Sequence, residues 1–101
     1  MIIRSEQSDK NSLILFLSGR LDTASSSVFE IKITELVDTA LDVVLDLKDL
    51  TYISSSGLHV LLQVQKKLAA NEHKLIVRNA NGLVKDVFIM TGFNNIVAME
   101  E

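Results

Sequence analysis

Short runs of aliphatic and β-branched residues alternate along this chain with stretches whose apolar positions recur every three to four residues. That alternation restricts the fold more than any other feature, because it forces strands and helices to take turns. Val43-Val44-Leu45-Asp46-Leu47 and Leu75-Ile76-Val77 have strand length and strand composition, and the first reads as a strand covered on both faces. Residues 1–5 and 13–18 read as a hairpin around the polar turn Gln7-Ser8-Asp9-Lys10-Asn11. Phe29, Ile33, Leu36, Val37 and Ala40 form one stripe of a helix over residues 23–39, with Asp22 or Thr23 at its N-cap.

A second helix opens at Ser54-Ser55-Ser56-Gly57 and runs to about Ala70. Its apolar arc is Leu58, Leu61, Leu62, Val64, Leu68 and Ala69, with His59, Gln63, Lys66 and Lys67 opposite. Leu83, Val84, Val87 and Phe88 predict a short third helix stopped by Gly92, and Ile96-Val97-Ala98 a last edge strand. Lys48-Asp49-Leu50-Thr51-Tyr52-Ile53 reads as a connection, and Asn79-Ala80-Asn81-Gly82 as a capping turn. The expected fold is α/β, one domain over residues 1–101, in the order β-β-α-β-α-β-α-β. Its sheet is mixed and four- to five-stranded, with about three helices mainly on one face.

Composition removes several functions. The 101 residues include no Cys and two His, His59 and His73, so thiolate chemistry and Cys-based metal sites are excluded and no metal or cofactor is expected. Ten basic against thirteen acidic side chains give a net charge of −3 and no basic stripe for nucleic acid. The apolar runs are strand-sized, which excludes a bilayer-spanning helix. The amino terminus lacks the basic start and apolar core of a secretory signal. A cytoplasmic protein, monomeric or weakly dimeric, is expected.

The informative stretch is Asp46 to Leu58, which sets three serines at a helix start directly after a strand. First-turn N–H groups there are unpaired and the helix dipole is positive, so a hydroxyl cap or an anion is favoured. Capping alone accounts for one of the serines. The run Leu47-x-Asp49-Leu50-Thr51-Tyr52-Ile53-x-Ser55-Ser56-Gly57-Leu58 resembles the signature of the STAS domain of bacterial anti-sigma factor antagonists. Ser18-Gly19-Arg20-Leu21-Asp22 is similar to that family's upstream element, and Val84-x-x-Val87-Phe88-x-x-x-Gly92 to its third-helix pattern.

The resemblance implies that Ser56 is phosphorylated by an anti-sigma factor that is also a serine kinase. The unmodified antagonist binds that partner and frees a sigma factor, and phosphate releases it. It also implies that Asp22 is the acidic residue beside the serine. Ser54 departs from the pattern, which commonly has Asp there. A STAS scaffold that is never phosphorylated, or one that senses a nucleotide or other small ligand, is the alternative.

Helical spacing places Ser56, His59 and Gln63 on one face. Joined to Asp22, Ser54, Ser55 and Gly57, which the resemblance sets around the modified serine, they make up the expected partner surface. A protonated His59 would there pair with a phosphate on Ser56. Val28 and Ile31 fall opposite the stripe of the first helix and form a further candidate contact. Ser56, His59 and Asp22 supply the residue types of a hydrolytic triad. No Gly-x-Ser-x-Gly elbow accompanies them, and an enzyme is not expected.

Overall fold

The computed structural model describes residues 1–7, 12–37 and 41–100. Its elements are β1 (Ile2–Gln7), β2 (Ser12–Leu21), α1 (Thr23–Leu36), β3 (Asp42–Ile53), α2 (Ser55–Ala70), β4 (Leu75–Arg78) and α3 (Gly82–Thr91). A 3-10 turn (Phe93–Asn95) and β5 (Ala98–Glu100) follow. The sheet order is β1-β2-β3-β4-β5, with β1 antiparallel to β2 and every other pair parallel. From β2 onward each strand is laid beside its predecessor in one direction. Right-handed crossovers then deliver every helix to the same face.

The core records that arrangement. Leu15 and Leu17 of β2, Val43, Leu45 and Leu47 of β3, and Leu75 and Val77 of β4 are all buried. They share one cluster with Phe29 and Ile33 of α1, Leu61 and Leu68 of α2, and Val84 and Phe88 of α3. The expected strand covered on both faces is therefore corrected: Val43 and Leu45 point into the core, while Val44 between them is half-exposed.

Asp46 is the exception on the open side, 7% exposed. Its carboxylate accepts from Arg78 Nε at 2.9 Å, Asn79 Nδ2 at 3.1 Å and the Lys48 N–H at 3.1 Å. The Arg78 guanidinium also lies over the Phe16 ring, 5.8 Å from its centroid, with Arg4 over the same ring at 4.4 Å.

The expected connection over residues 48–53 is strand. Between Phe16 and Ser18, and again between Gly19 and Arg20, β3 carries one residue more than β2, so Phe16 faces Asp46 while Ser18 faces Asp49 and Arg20 faces Tyr52. Each bulge breaks the two-residue alternation, and the buried positions become Leu47, Leu50 and Ile53 at intervals of three. A period-two search cannot see such a strand.

Other boundaries differ less. The first helix ends at Leu36 with Val37 as its cap, and Leu36 is 37% exposed rather than part of the buried stripe. Ala40 and the turn residues Ser8 to Asn11 lie outside the described residues. The last strand starts at Ala98, because Ile96 and Val97 lead into it from the 3-10 turn. Gly92 ends α3 in the left-handed region at φ 77°, as its position implied. Asn81 occupies the N-cap of α3, but its amide reaches Lys48 O and Asn79 O, each at 3.3 Å, instead of capping the helix.

Acid stability follows from two strand carboxyls. Burial alone pushes the Asp46 carboxyl up, and the Lys48 N–H, Arg78 and Asn79 together outweigh it, leaving the group below its ordinary value. The Lys74 N–H at 2.9 Å and the His73 ring at 3.0 Å hold Asp42 low as well. A carboxyl depressed by folding stabilises fully above its unfolded value of about 3.9 and loses that contribution as pH falls through the folded value. Urea midpoints are therefore expected to be flat from neutrality to about pH 5 and to fall below about pH 4. Asp46→Asn should cost about 1.5–3 kcal/mol at pH 7, and less at pH 3, in the same titration.

Candidate functional site at the start of α2

Two chain segments meet beyond the carboxyl ends of β2 and β3. The Ser54 N–H donates to Leu21 O at 2.8 Å, tying the last residue of β2 to the N-cap of α2. Ser54 is 7% exposed. Its Oγ accepts from the Gly57 N–H at 3.1 Å, and its carbonyl accepts from the Leu58 N–H at 2.9 Å. The first turn of α2 is thereby closed by a side chain and a backbone group of one residue.

Gly57 is at this position because nothing larger fits. A Cβ there would lie 2.6 Å from Leu21 Cγ, 2.9 Å from Leu21 Cδ2 and 3.3 Å from Ile53 Cγ1. The turn that carries the serines thus presses directly onto the end of the sheet.

The neighbouring hydroxyls form a short series. Ser56 Oγ is 3.1 Å from Ser54 Oγ and reaches Thr23 Oγ1 at 3.5 Å, the outer limit of a hydrogen bond. Ser56 is half-exposed and Ser55 exposed. Thr23 is the first residue of α1, a neighbour that helical spacing within α2 could not supply.

Asp22, one residue earlier, turns its carboxylate to its own helix. Oδ1 accepts from the Ser25 N–H at 2.9 Å and from the Ser25 hydroxyl at 3.0 Å, while the Asp22 N–H donates to Ser25 Oγ at 3.0 Å. These Ser25 hydrogen bonds hold the Asp22 carboxyl below its ordinary value.

His59 and Gln63 are both exposed, and His59 Nε2 lies 3.2 Å from Gln63 Nε2. The ring of His59 therefore meets Gln63, while the Ser56 hydroxyl meets Ser54 and Thr23. His59 lines an apolar groove with Ser55, Leu58, Leu62, Phe93 and Ile96. Gln63 lines another, between α1 and α2, with Ile31, Glu35, Val60 and Val64. The expected common face divides: Ser56 turns toward α1, and His59 stands beside Ser55 on the flank next to α3.

Sequence reasoning missed Thr23 as a neighbour of Ser56, and it put Leu58 and Leu62 on the apolar arc, where they are half-buried and line the groove beside His59. It also put Ala69, which is exposed, on the apolar arc in place of Val60, which is buried. The signal for Val60 is its place four residues before Val64. Val28 and Ile31 are exposed at 56% and 62%, opposite the buried stripe as the spacing implied. Among the described residues no group of three or more His, Asp or Glu side chains could hold a metal ion, and no helix is long and apolar enough to cross a membrane.

Residues 3–101 match the STAS domain. The chain belongs to the STAS domain family. BtrV of Bordetella bronchiseptica, proposed by its name to be an anti-sigma factor antagonist, is 38% identical over 85 residues, covering 83% of this chain and 73% of BtrV. The anti-sigma-B factor antagonist of Bacillus subtilis is 26% identical over 89 residues, covering 88% and 82%. SpoIIAA, an anti-sigma factor antagonist solved in its unphosphorylated form, superposes with a TM-score of 0.81 at 21% identity, over 97% of this chain and 87% of that one. Its phosphorylated form, from Bacillus, superposes at 0.74 and 20% identity, over 97% and 90%.

In this STAS domain two of the three segments that carry the resemblance touch each other. Ser18 to Asp22 ends β2 and caps α1, while Leu47 to Leu58 runs from the bulged half of β3 into α2. Gly57→Ala tests their contact. Helix propensity favours Ala by at most about 1 kcal/mol, and less in a first turn. Overlap with Leu21 costs about 1–3 kcal/mol, so the clash wins. A lower urea midpoint with native far-UV circular dichroism is expected.

Proposed function

We propose that this STAS domain is an anti-sigma factor antagonist, not an enzyme. Its unmodified form binds an anti-sigma factor serine kinase in the cytoplasm, and phosphorylation of Ser56 ends the complex. The observation that carries this reading is the half-exposed Ser56 hydroxyl, held at the positive end of a 16-residue helix whose first turn is fixed on the sheet by Ser54 and Gly57. The names of BtrV and of the Bacillus subtilis relative support the class of partner. The SpoIIAA structures support a fold that persists with and without phosphate.

The proposed contact surface surrounds that hydroxyl: Asp22, Ser54, Ser55, Ser56 and Gly57, with His59 and Gln63 on the next turns of α2. In the modification Ser56 Oγ exchanges its proton for the terminal phosphoryl group of ATP. ADP leaves, and the proton passes to the kinase.

Phosphate adds about −1.5 to −2 charges at neutral pH. At the N-terminus of α2 that charge is favourable by about 0.3–1 kcal/mol, so the fold withstands it. Against a partner the balance reverses, because the anion must be desolvated. A partner carboxylate about 4 Å away adds roughly 4 kcal/mol of repulsion at an effective dielectric near 20. With about 1.4 kcal/mol for each factor of ten, affinity falls by two to three orders of magnitude.

The test is incubation with the cognate anti-sigma kinase and ATP, followed by intact mass and titration calorimetry. A gain of about 80 Da that Ser56→Ala abolishes is expected. Ser56→Ala should bind with wild-type affinity, and Ser56→Glu at least about 100-fold more weakly. Equal binding by Ser56→Glu and Ser56→Ala overturns the switch. Absence of the mass gain with binding intact leaves the unphosphorylated scaffold in its place.

A further inference from the structure

Serine rather than a carboxylate at position 54 changes what a modified Ser56 meets. Ser54 Oγ has one proton and two lone pairs. One lone pair accepts from the Gly57 N–H at 3.1 Å, and the other groups within reach are Ser56 Oγ at 3.1 Å and, through Ser56, Thr23 Oγ1 at 3.5 Å. While Ser56 is a free hydroxyl, either oxygen can donate along the line between Ser54 and Ser56. Once Ser56 Oγ is a phosphate ester it has no proton, so the only proton on that line belongs to Ser54. The Gly57 N–H continues to be accepted, because a hydroxyl accepts and donates at once.

We propose that Ser54 is the positioning residue of the phosphorylated state. It caps α2 in both states and, on modification, turns its hydroxyl proton onto the phosphate, holding it as the dianion. An aspartate would accept from the Gly57 N–H equally well, since Asp and Ser are comparable N-caps. It would have no proton to give at neutral pH and would add a like charge about 3 Å from the ester oxygen. The cap is the same for the two residues, and the effect on a neighbouring phosphate is opposite.

The inference rests on Ser56 as the modified residue. The charged or titratable groups on the adjoining segments are Arg20 at the end of β2, Asp22 at the N-cap of α1, Tyr52 on β3 and His59 one turn along α2. Asp22 is occupied with Ser25, Arg20 lies over the Tyr52 ring at 4.4 Å, and His59 meets Gln63. The α3 flank contributes the uncharged Thr91, Phe93 and Ile96. All of these are common to the variants compared, so a difference among variants reports position 54.

The experiment places phosphoserine at position 56 of the full chain during translation and follows the phosphate by 31P NMR titration, with no kinase or partner present. Wild type and Ser54→Thr, which keeps the hydroxyl, are expected to titrate below the ordinary phosphoserine value of about 6. Ser54→Asp is expected to titrate about one unit or more above wild type. Coincident curves for wild type and Ser54→Asp overturn the proposal. If circular dichroism shows the phosphorylated Ser54→Asp chain unfolded, Ser54→Thr and Ser54→Ala decide the matter. Thr keeps the low value and Ala loses it, and equal values overturn the proposal. A kinase that ignores Ser56 would refute the switch without touching this titration, and coincident titrations would leave the switch standing.

Discussion

The contact between Leu21 and Gly57 is the constraint from which the rest of the site follows. It joins the end of β2 to the first turn of α2 at a separation that leaves no room for a Cβ. The 2.8 Å hydrogen bond from the Ser54 N–H to Leu21 O fixes the same junction through the backbone. With both in place, the orientation of α2 on the sheet and the position of Ser56 beside Thr23 are set by one joint. Leu21 and Ile53, the residues that receive Gly57, are themselves buried and paired across β2 and β3.

The two ends of the sheet handle polarity differently. At the amino ends of β3 and β4, Asp42 is matched by His73 and the Lys74 N–H, and midway Asp46 is matched by Arg78. At the carboxyl end of β2 and β3 the groups around Ser56 are neutral hydroxyls, and the nearby carboxylate of Asp22 is committed to Ser25. An anion added at Ser56 therefore meets hydroxyl partners directly, and not an existing ion pair such as Asp46–Arg78.

The element order, the three helices, the stop at Gly92 and a cap at Asp22 or Thr23 and at one of the three serines were legible in the sequence, because each depends on local period or local backbone chemistry; the order of strands in the sheet was not. What escaped depends on partners distant in sequence. The second half of β3 looked like a connection because two bulges disturb its alternation, and bulges are dictated by the neighbouring strand. Asp46 passed as one member of a mostly apolar strand run, and its partners Arg78 and Asn79 lie more than thirty residues away. Thr23 beside Ser56 and the division of His59 from Ser56 follow from how α1 and α3 dock on either side of α2. No periodicity within α2 encodes that.

The bulged half of β3 has an implication for how such domains diverge. Lys48 to Thr51 has the polar look of a surface loop, and loops ordinarily accept added or lost residues. Here the stretch is hydrogen-bonded to β2 along its length and keeps Leu47, Leu50 and Ile53 in phase with the core. Removing one residue would rotate Ile53 outward and withdraw the shelf on which Gly57 rests. Length variation in this fold is thus barred from a segment that composition alone would mark as permissive.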